Sequence, residues 1–481
     1  MFRLIGSCLV LLGSATVALA QGVPNAEYQL TVQPAREPVP ALKHQLAFEL
    51  RDQTPGNAAV HYFRAASCYE EKRANLRADK KREQFPHAET WWKLTLEELP
   101  RAEMHAFFDY FKPVLELVER AARCKRCDWE LDETLHEEGI ATLLPELQQL
   151  RGLAGLLQDK VRLDMAEGNL DQAVRTLRTG FCLARDCGQS PTLVSSMVGI
   201  AIGQIMLGGI DQFVQRPGAP NLYWALTDLP CPLIDVRRAY QGERMIVNSL
   251  FPGLREMASD PKTSPMTPLQ IAELTNRLMK LGNPKKPLDE EAQRLAILNM
   301  AGRLHEDAKK FLVAEGRPAE EVEKLPMLQA ALLYQLREYD RFLDDMLKLQ
   351  GLPYYEGWKR LGEVEANIKL DVVKAGGVSL TLTGALLPAA PKVQLAQGRL
   401  ERKISILRCV EAVRLYAAGH DGKPPAKLDD VKEMPIPLDP FTGKPFNYET
   451  DGDKAIIEGP PPDGEKPTVD KYIRYQVTLK K

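Results

Sequence analysis

Residues 143–188 read LLPELQQLRGLAGLLQDKVRLDMAEGNLDQAVRTLRTGFCLARDCG and decide the fold class of the chain. Apolar residues recur in this stretch at steps of three, four or seven, which places them on one face of a helix. They form two runs: Leu143, Leu147, Leu150, Leu157 and Val161, then Leu170, Val174, Leu177, Phe181 and Ala184. Between the runs, Gly168 can adopt the positive φ of a helix C-terminus and Asn169 can cap the next helix. The stretch therefore predicts an αα-hairpin.

The hairpin resembles a single tetratricopeptide unit. Gly168 and Asn169 are followed by Ala173, Leu177 and Gly180, at the small-large-small spacing of that repeat's second helix. The resemblance covers about 35 residues, and the sequence shows no second copy at the fixed period that an array requires. A tetratricopeptide-like unit and an ordinary helical hairpin both remain open.

We expect a mainly α fold beyond this hairpin. It consists of further helical hairpins, and a solenoid is one way in which they can stack. Helices are predicted at residues 234–257, 268–280, 289–314, 326–349 and 353–374, separated by proline and glycine joints. The stretch Cys187 to Ile210 carries no charge and is long enough to span a membrane. Its glycines and polar residues favour a central helix buried on all sides, and a membrane helix is the alternative.

The C-terminal residues predict a small α+β module. The apolar pattern from Leu400 to Ala417 predicts a helix, and strands are predicted at residues 446–449, 454–458 and 472–479. Asp451-Gly452 predicts a hairpin between the first two strands. We expect the helix to lie across a small antiparallel sheet. The chain then divides into residues 1–20, a helical region at 21–390 whose length allows two subdomains, and a module at 391–481.

This module resembles the globular domain of type II secretion pseudopilins. The matching residues are Asp439, Pro440, Gly443, Pro445, Phe446 and Tyr448, with Gly459 to Gly464 as a lengthened final turn. The resemblance implies a calcium site in the C-terminal loop, for which Asp451, Asp453, Asp463 and Glu465 offer oxygen ligands. The competing interpretation is that these acids serve turn geometry. The methylated N-terminal membrane helix of the family has no counterpart, so the resemblance does not imply filament assembly.

The first residues predict export. Arg3 precedes an uncharged apolar run from Leu4 to Val17, and Ala18-Leu19-Ala20 fits the small-x-small cleavage rule of a signal peptide over residues 1–20. A lipoprotein signal using Cys8 is the alternative, but Cys8 lies before most of the apolar run. We expect a periplasmic or cell-envelope protein, and the chain as a whole resembles long helical exported bacterial proteins that end in such a module.

Charge and cysteine content narrow the classes of function. The chain has 63 basic and 65 acidic side chains, a net charge of −2, which argues against a nucleic-acid binder with its concentrated basic surface. One of the eight cysteines lies in the predicted signal peptide, so an odd number remains and at least one cannot pair within the chain.

Cys124-Lys125-Arg126-Cys127 is the most reactive-looking motif, because two neighbouring cations would favour thiolates. The helix predicted to begin near Pro100 ends at about Arg126, so the pair would lie at a helix end. A disulfide or free thiols, zinc held together with Cys182 and Cys187, and redox exchange all remain open.

No catalytic or cofactor motif is present. The sequence has no His-Glu-x-x-His zinc motif, Gly-x-Ser-x-Gly elbow, phosphate loop or dinucleotide fingerprint, so we assign no catalytic residue and no cofactor. The aromatic residues Trp91-Trp92 and Tyr354-Tyr355 with Trp358 are candidates either for a peptide or glycan groove or for core packing. We expect a scaffold or protein-interaction role with a protein partner in the cell envelope. The alternative is an exported hydrolase whose site is assembled from distant residues.

Overall fold

A computed structural model describes residues 26–78, 85, 90–131, 144–280, 289–376, 381–387 and 390–480. The predicted signal peptide, residues 1–20, lies outside these ranges. The fold is mainly helical with a small sheet near the C-terminus, as the sequence predicts. The helices are α1 (Ala58–Ala78), α2 (Arg101–Ala122), α3 (Leu144–Ala166), α4 (Leu170–Gly188), α5 (Leu193–Phe213), α6 (Tyr223–Thr227), α7 (Arg237–Leu250), α8 (Leu254–Ser259), α9 (Pro268–Lys280), α10 (Glu290–Ala314), α11 (Ala319–Glu323), α12 (Met327–Leu349), α13 (Tyr354–Lys374), α14 (Leu382–Leu386) and α15 (Ala390–Gly419). The strands are β1 (Glu27–Val32), β2 (Thr54–Asn57), β3 (Cys124–Arg126), β4 (Asn447–Asp451), β5 (Lys454–Gly459) and β6 (Ile473–Leu479).

Helices α3 and α4 form the predicted hairpin. Gly168 has a φ of 77°, the left-handed conformation that ends a helix most easily at glycine. The prediction that Asn169 caps α4 with its side chain is wrong: its Nδ2 donates instead to Glu167 Oε2 at 3.2 Å. The first turn of α4 therefore has no side-chain cap.

Helix α5 lies against α4 and is mostly buried. The uncharged stretch from Cys187 is divided, because α4 continues to Gly188 and a turn precedes α5, whose N-cap Thr192 accepts a hydrogen bond from Ser195 N. In the described part of the chain, α5 alone is long and apolar enough to cross a membrane, and 72% of its most apolar window is buried inside the protein. A Cβ on Gly199 would lie 2.7 Å from Ala184 O, so glycine allows α4 and α5 to approach closely.

The helices between residues 237 and 374 follow the sequence pattern closely, apart from the short helix α11, which was not predicted, and one split. The single helix predicted over 234–257 is two helices, α7 and α8, because the chain turns at Gly253 with a φ of 81°. A left-handed residue ends a helix, and glycine adopts this conformation at little cost. Pro252-Gly253 is a turn signal in the sequence, but apolar residues continue on both sides of it and the prediction ran through it.

The C-terminal sheet has the strand order β1-β6-β5-β4. Strands β4 and β5 form the predicted hairpin, with Asp451 opposite Lys454, and β6 pairs antiparallel with β5. The prediction of a purely antiparallel sheet is wrong, because β1 pairs parallel to β6 with Tyr28 opposite Tyr475. A strand far away in sequence thus completes the sheet, which local spacing does not reveal.

Helix α15 crosses this sheet and also contacts α5, α6 and α13. It begins at Ala390, earlier than the Leu400 that the apolar pattern indicates. Four of its charged side chains are at most 5% exposed: Arg402, Lys403, Glu411 and Arg414. Each of them is paired, through Arg402–Asp439 at 2.7 Å, Lys403–Asp211 at 2.8 Å and Arg414–Glu411 at 2.8 Å.

Candidate functional site

A polar depression of about 540 Å³ lies where three segments of the chain meet. The first segment contributes Lys43 and His44, which precede α1 in the chain. The second is the turn at Gly168 with the first residues of α4, including Arg175. The third contains Gly218, which follows α5. The turn of the predicted hairpin is therefore one wall of this depression.

Two glycines leave the backbone at the rim of the depression uncovered. Gly168 and Gly218 have φ values of 77° and 73°, which side-chain-bearing residues rarely adopt. No atom lies within 4 Å of the position that a Cβ would occupy at either glycine. The amide of Gly218 donates to Gln33 Oε1 at 3.1 Å, which joins its loop to the segment after β1.

The buried Arg414 on α15 holds the third of these segments and the chain just after β1 in place. Its Nε donates to Gln33 O at 2.9 Å and its Nη2 donates to Ala219 O at 2.7 Å. Its Nη1 donates to both carboxylate oxygens of Glu411, at 3.0 and 2.8 Å. Burial raises the pKa of Glu411, and Arg414 opposes that shift by favouring the charged carboxylate. The C-terminal helix thus positions a wall of the depression from behind.

The lining side chains of the depression differ in burial and charge. Lys43 and Arg175 are exposed cations, whereas His44 is only 8% exposed. His44 Nδ1 lies 3.8 Å from Asp171 Oδ1, longer than a hydrogen bond. Burial lowers the pKa of His44 and Asp171 opposes only part of that shift, so the imidazole is neutral at pH 7. The arrangement can present two cations and a neutral imidazole to a ligand.

The Cys124 and Cys127 pair has a different environment from the one that the sequence predicts. Helix α2 ends at Ala122, and Cys124 begins the short strand β3, which pairs parallel to β2. Both residues are free, buried cysteines, while Lys125 and Arg126 are exposed. Burial raises the pKa of both thiols, so the expectation that the two cations favour thiolates is wrong.

Cys182 and Cys187 both lie on α4, and neither thiol is activated. Burial raises the pKa of each to about 12. Cys182 packs with Phe48 and Ala122, whereas Cys187 Sγ donates to Ser195 O at 3.6 Å. Within the described ranges, no three His, Cys, Asp or Glu side chains lie close enough together to hold a metal ion. The zinc hypothesis therefore finds no ligand set in this part of the chain.

The four acids proposed as calcium ligands are not brought together. Asp451 and Asp453 flank the β4–β5 turn. Asp463 pairs with Lys444 at 3.5 Å, and Glu465 pairs with Lys471 at 2.8 Å. None of the four belongs to a metal-binding group among the residues that the structure describes.

The candidate groove aromatics divide between interior and surface. Trp91 is fully buried while Trp92 is 59% exposed. Tyr354 stacks on Phe441 with ring centroids 4.4 Å apart, and Tyr355 is 40% exposed. Trp91 and Tyr354 thus serve packing, Trp92 and Tyr355 face solvent, and Trp358 is half-buried.

The depression joins residues that the sequence could not connect. The hairpin turn at Gly168 was identifiable from its periodicity, but His44 was one of several scattered histidines and Arg175 was one of many surface cations. Their proximity depends on where residues 33–49 cross the helices, which no local pattern encodes. The chain matches no family model, and no curated protein or solved structure matches it.

Proposed function

We propose that the protein is an exported scaffold or interaction protein of the periplasm or cell envelope, and that it binds a protein partner at the depression. The single observation that carries this proposal is the shape and polarity of the recess. It is formed by three chain segments and lined by exposed Lys43 and Arg175 and by the amide side chains of Asn169 and Gln172. Open polar recesses of this kind suit a segment that stays partly in water.

The proposal gives the C-terminal module a supporting role. The pseudopilin-like residue Asp439 is fully buried and pairs with Arg402 of α15. The same helix holds one wall of the depression through the bond from Arg414 to Ala219 O. We propose that the module is an accessory platform for the helical region, that its acids bind no calcium in this role, and that α5 stays in the protein core rather than in a membrane.

Site-specific photo-crosslinking tests the interaction proposal. A benzophenone amino acid replaces the exposed Gln172 at the depression or, as a control, the exposed Lys310 on α10. In the cell envelope of an expressing bacterium, we expect a discrete adduct from position 172 that Arg175→Glu removes. Identical adducts from both positions, or no adduct from position 172, would contradict the proposal.

Exported hydrolysis is the second candidate, favoured by the approach of His44 to Asp171 within the same recess. The residues that line the recess include no Ser, Thr or Cys, so this pair would have to activate water rather than a protein nucleophile. Assays with a nitrophenyl ester and a casein substrate decide between the candidates. Hydrolysis that His44→Ala abolishes, and that His420→Ala leaves intact, would favour the hydrolase.

A further inference from the structure

The charges around the depression favour an anionic ligand. Lys43 and Arg175 line it and form no ion pair within the described part of the chain. Asp171 is 68% exposed and contributes the one opposing negative charge of the lining. With a neutral His44, the recess carries a small net positive charge, which attracts an anionic group.

The first turn of α4 adds hydrogen-bond donors. The helix has nineteen residues and lacks a side-chain cap at its start. The amides of Gln172 and Ala173 are already bonded to Asn169 O, whereas the amide of Asp171 has no backbone partner among the described residues. The positive end of the helix dipole therefore faces the recess with a free donor.

The buried His44 is an independent sign of a ligand. Its side chain is 9% exposed and lines the recess. Within the described residues its ring makes no hydrogen bond, and its one close acid stands 3.8 Å away. The ring nitrogens of His44 are not fully enclosed, so a ligand that enters the recess can reach them. A ligand oxygen would accept the N–H that the neutral ring carries.

We infer that the depression binds a side-chain carboxylate of an acidic peptide segment in the partner, with Lys43 and Arg175 as its cations and His44 as a hydrogen-bond donor. This inference rests on the proposed interaction function and names the chemistry that the site recognises. Asn169 and Gln172 offer amide groups to the backbone of the bound segment.

Fluorescence anisotropy with the full chain tests this inference. The probe is a fluorescein-labelled hexapeptide amide with two glutamates, and its matched partner has glutamines in their place. A neutral peptide with a free C-terminal carboxylate and inorganic phosphate are the two competitors. We expect the glutamate peptide to bind roughly tenfold more tightly than the glutamine peptide, and its binding to weaken with added salt.

Variants locate the binding. Lys43→Ala with Arg175→Ala should lower the affinity for the glutamate peptide roughly tenfold. The matched control is Arg294→Ala with Lys310→Ala, which removes two exposed cations from α10. Equal binding of both peptides, equal affinity of both double variants, or stronger competition by phosphate or by the terminal carboxylate would overturn the inference. If the inference fails in this way but a partner still crosslinks at position 172, the proposed interaction function remains supported.

Discussion

Helices α5 and α15 cross the same protein interior with different chemistry. Apolar side chains and glycines make up most of the buried surface of α5, which approaches α4 closely at Gly199 and whose buried Asp211 pairs with Lys403 of α15. Helix α15 is buried as deeply but carries paired charges such as Arg414 with Glu411 and Arg402 with Asp439. Apolar burial needs only a neighbour of suitable shape, whereas each buried charge needs one particular partner. The difference explains why α15, and not α5, can fix the position of distant loops.

Removing one partner of a buried pair should have the largest effect. Arg414→Ala leaves Glu411 fully buried without its cation, and leaves Gln33 O and Ala219 O without their donor. We expect the free energy of unfolding in urea to fall by about 3–5 kcal/mol. The double variant Glu411→Gln with Arg414→Met should recover much of this loss, because no unpaired charge remains. If both variants lose the same free energy of unfolding, the ion pair between Arg414 and Glu411 is not the source of the stability that α15 provides.

A buried carboxylate at the start of α5 sharpens the comparison. Glu243 accepts a hydrogen bond from Leu193 N at 3.1 Å, and burial raises its pKa from 4.5 to about 7. Between these pH values the folded protein retains a proton that the unfolded chain has lost, so stability decreases as pH rises through this window. Glu243→Gln should match the wild type at pH 4.5 and exceed it at pH 8 by at most about 3 kcal/mol. If the stabilities of the wild type and of Glu243→Gln change with pH in the same way, this account of Glu243 is wrong.

Two glycines of α5 provide a test of the apolar packing in this comparison. Gly199→Ala places a Cβ against the α4 backbone, and we expect unfolding to become easier by about 1–3 kcal/mol. Gly208→Ala is the matched control, since nothing lies within 4 Å of its Cβ position. It should stabilise the helix by about 0.5–1 kcal/mol. Urea unfolding of the two variants in parallel measures both effects, and a stabilising Gly199→Ala would contradict the close approach.

The sequence predicted the elements that depend on local pattern. The hairpin at Gly168, the helix from Pro268 and the β4–β5 turn at Gly452 follow from periodicity and from glycine conformation. It missed what depends on distant partners, namely β1 beside β6 and the burial of Arg414. An apolar stripe predicts one buried face and does not indicate that charges on the other faces of α15 are buried as well. The candidate site was missed for the same reason, since His44 and Arg175 meet only in the folded chain.

Hydrogen exchange of the double variant Glu411→Gln with Arg414→Met tests most directly whether α15 positions the depression. The account predicts faster amide exchange at residues 33–36 and 216–221, which Arg414 holds, and unchanged exchange in the hairpin at 150–188. Unchanged protection in the two loops, or an equal loss of protection in loops and hairpin, would contradict the claim that the buried charges of α15 place the walls of the site.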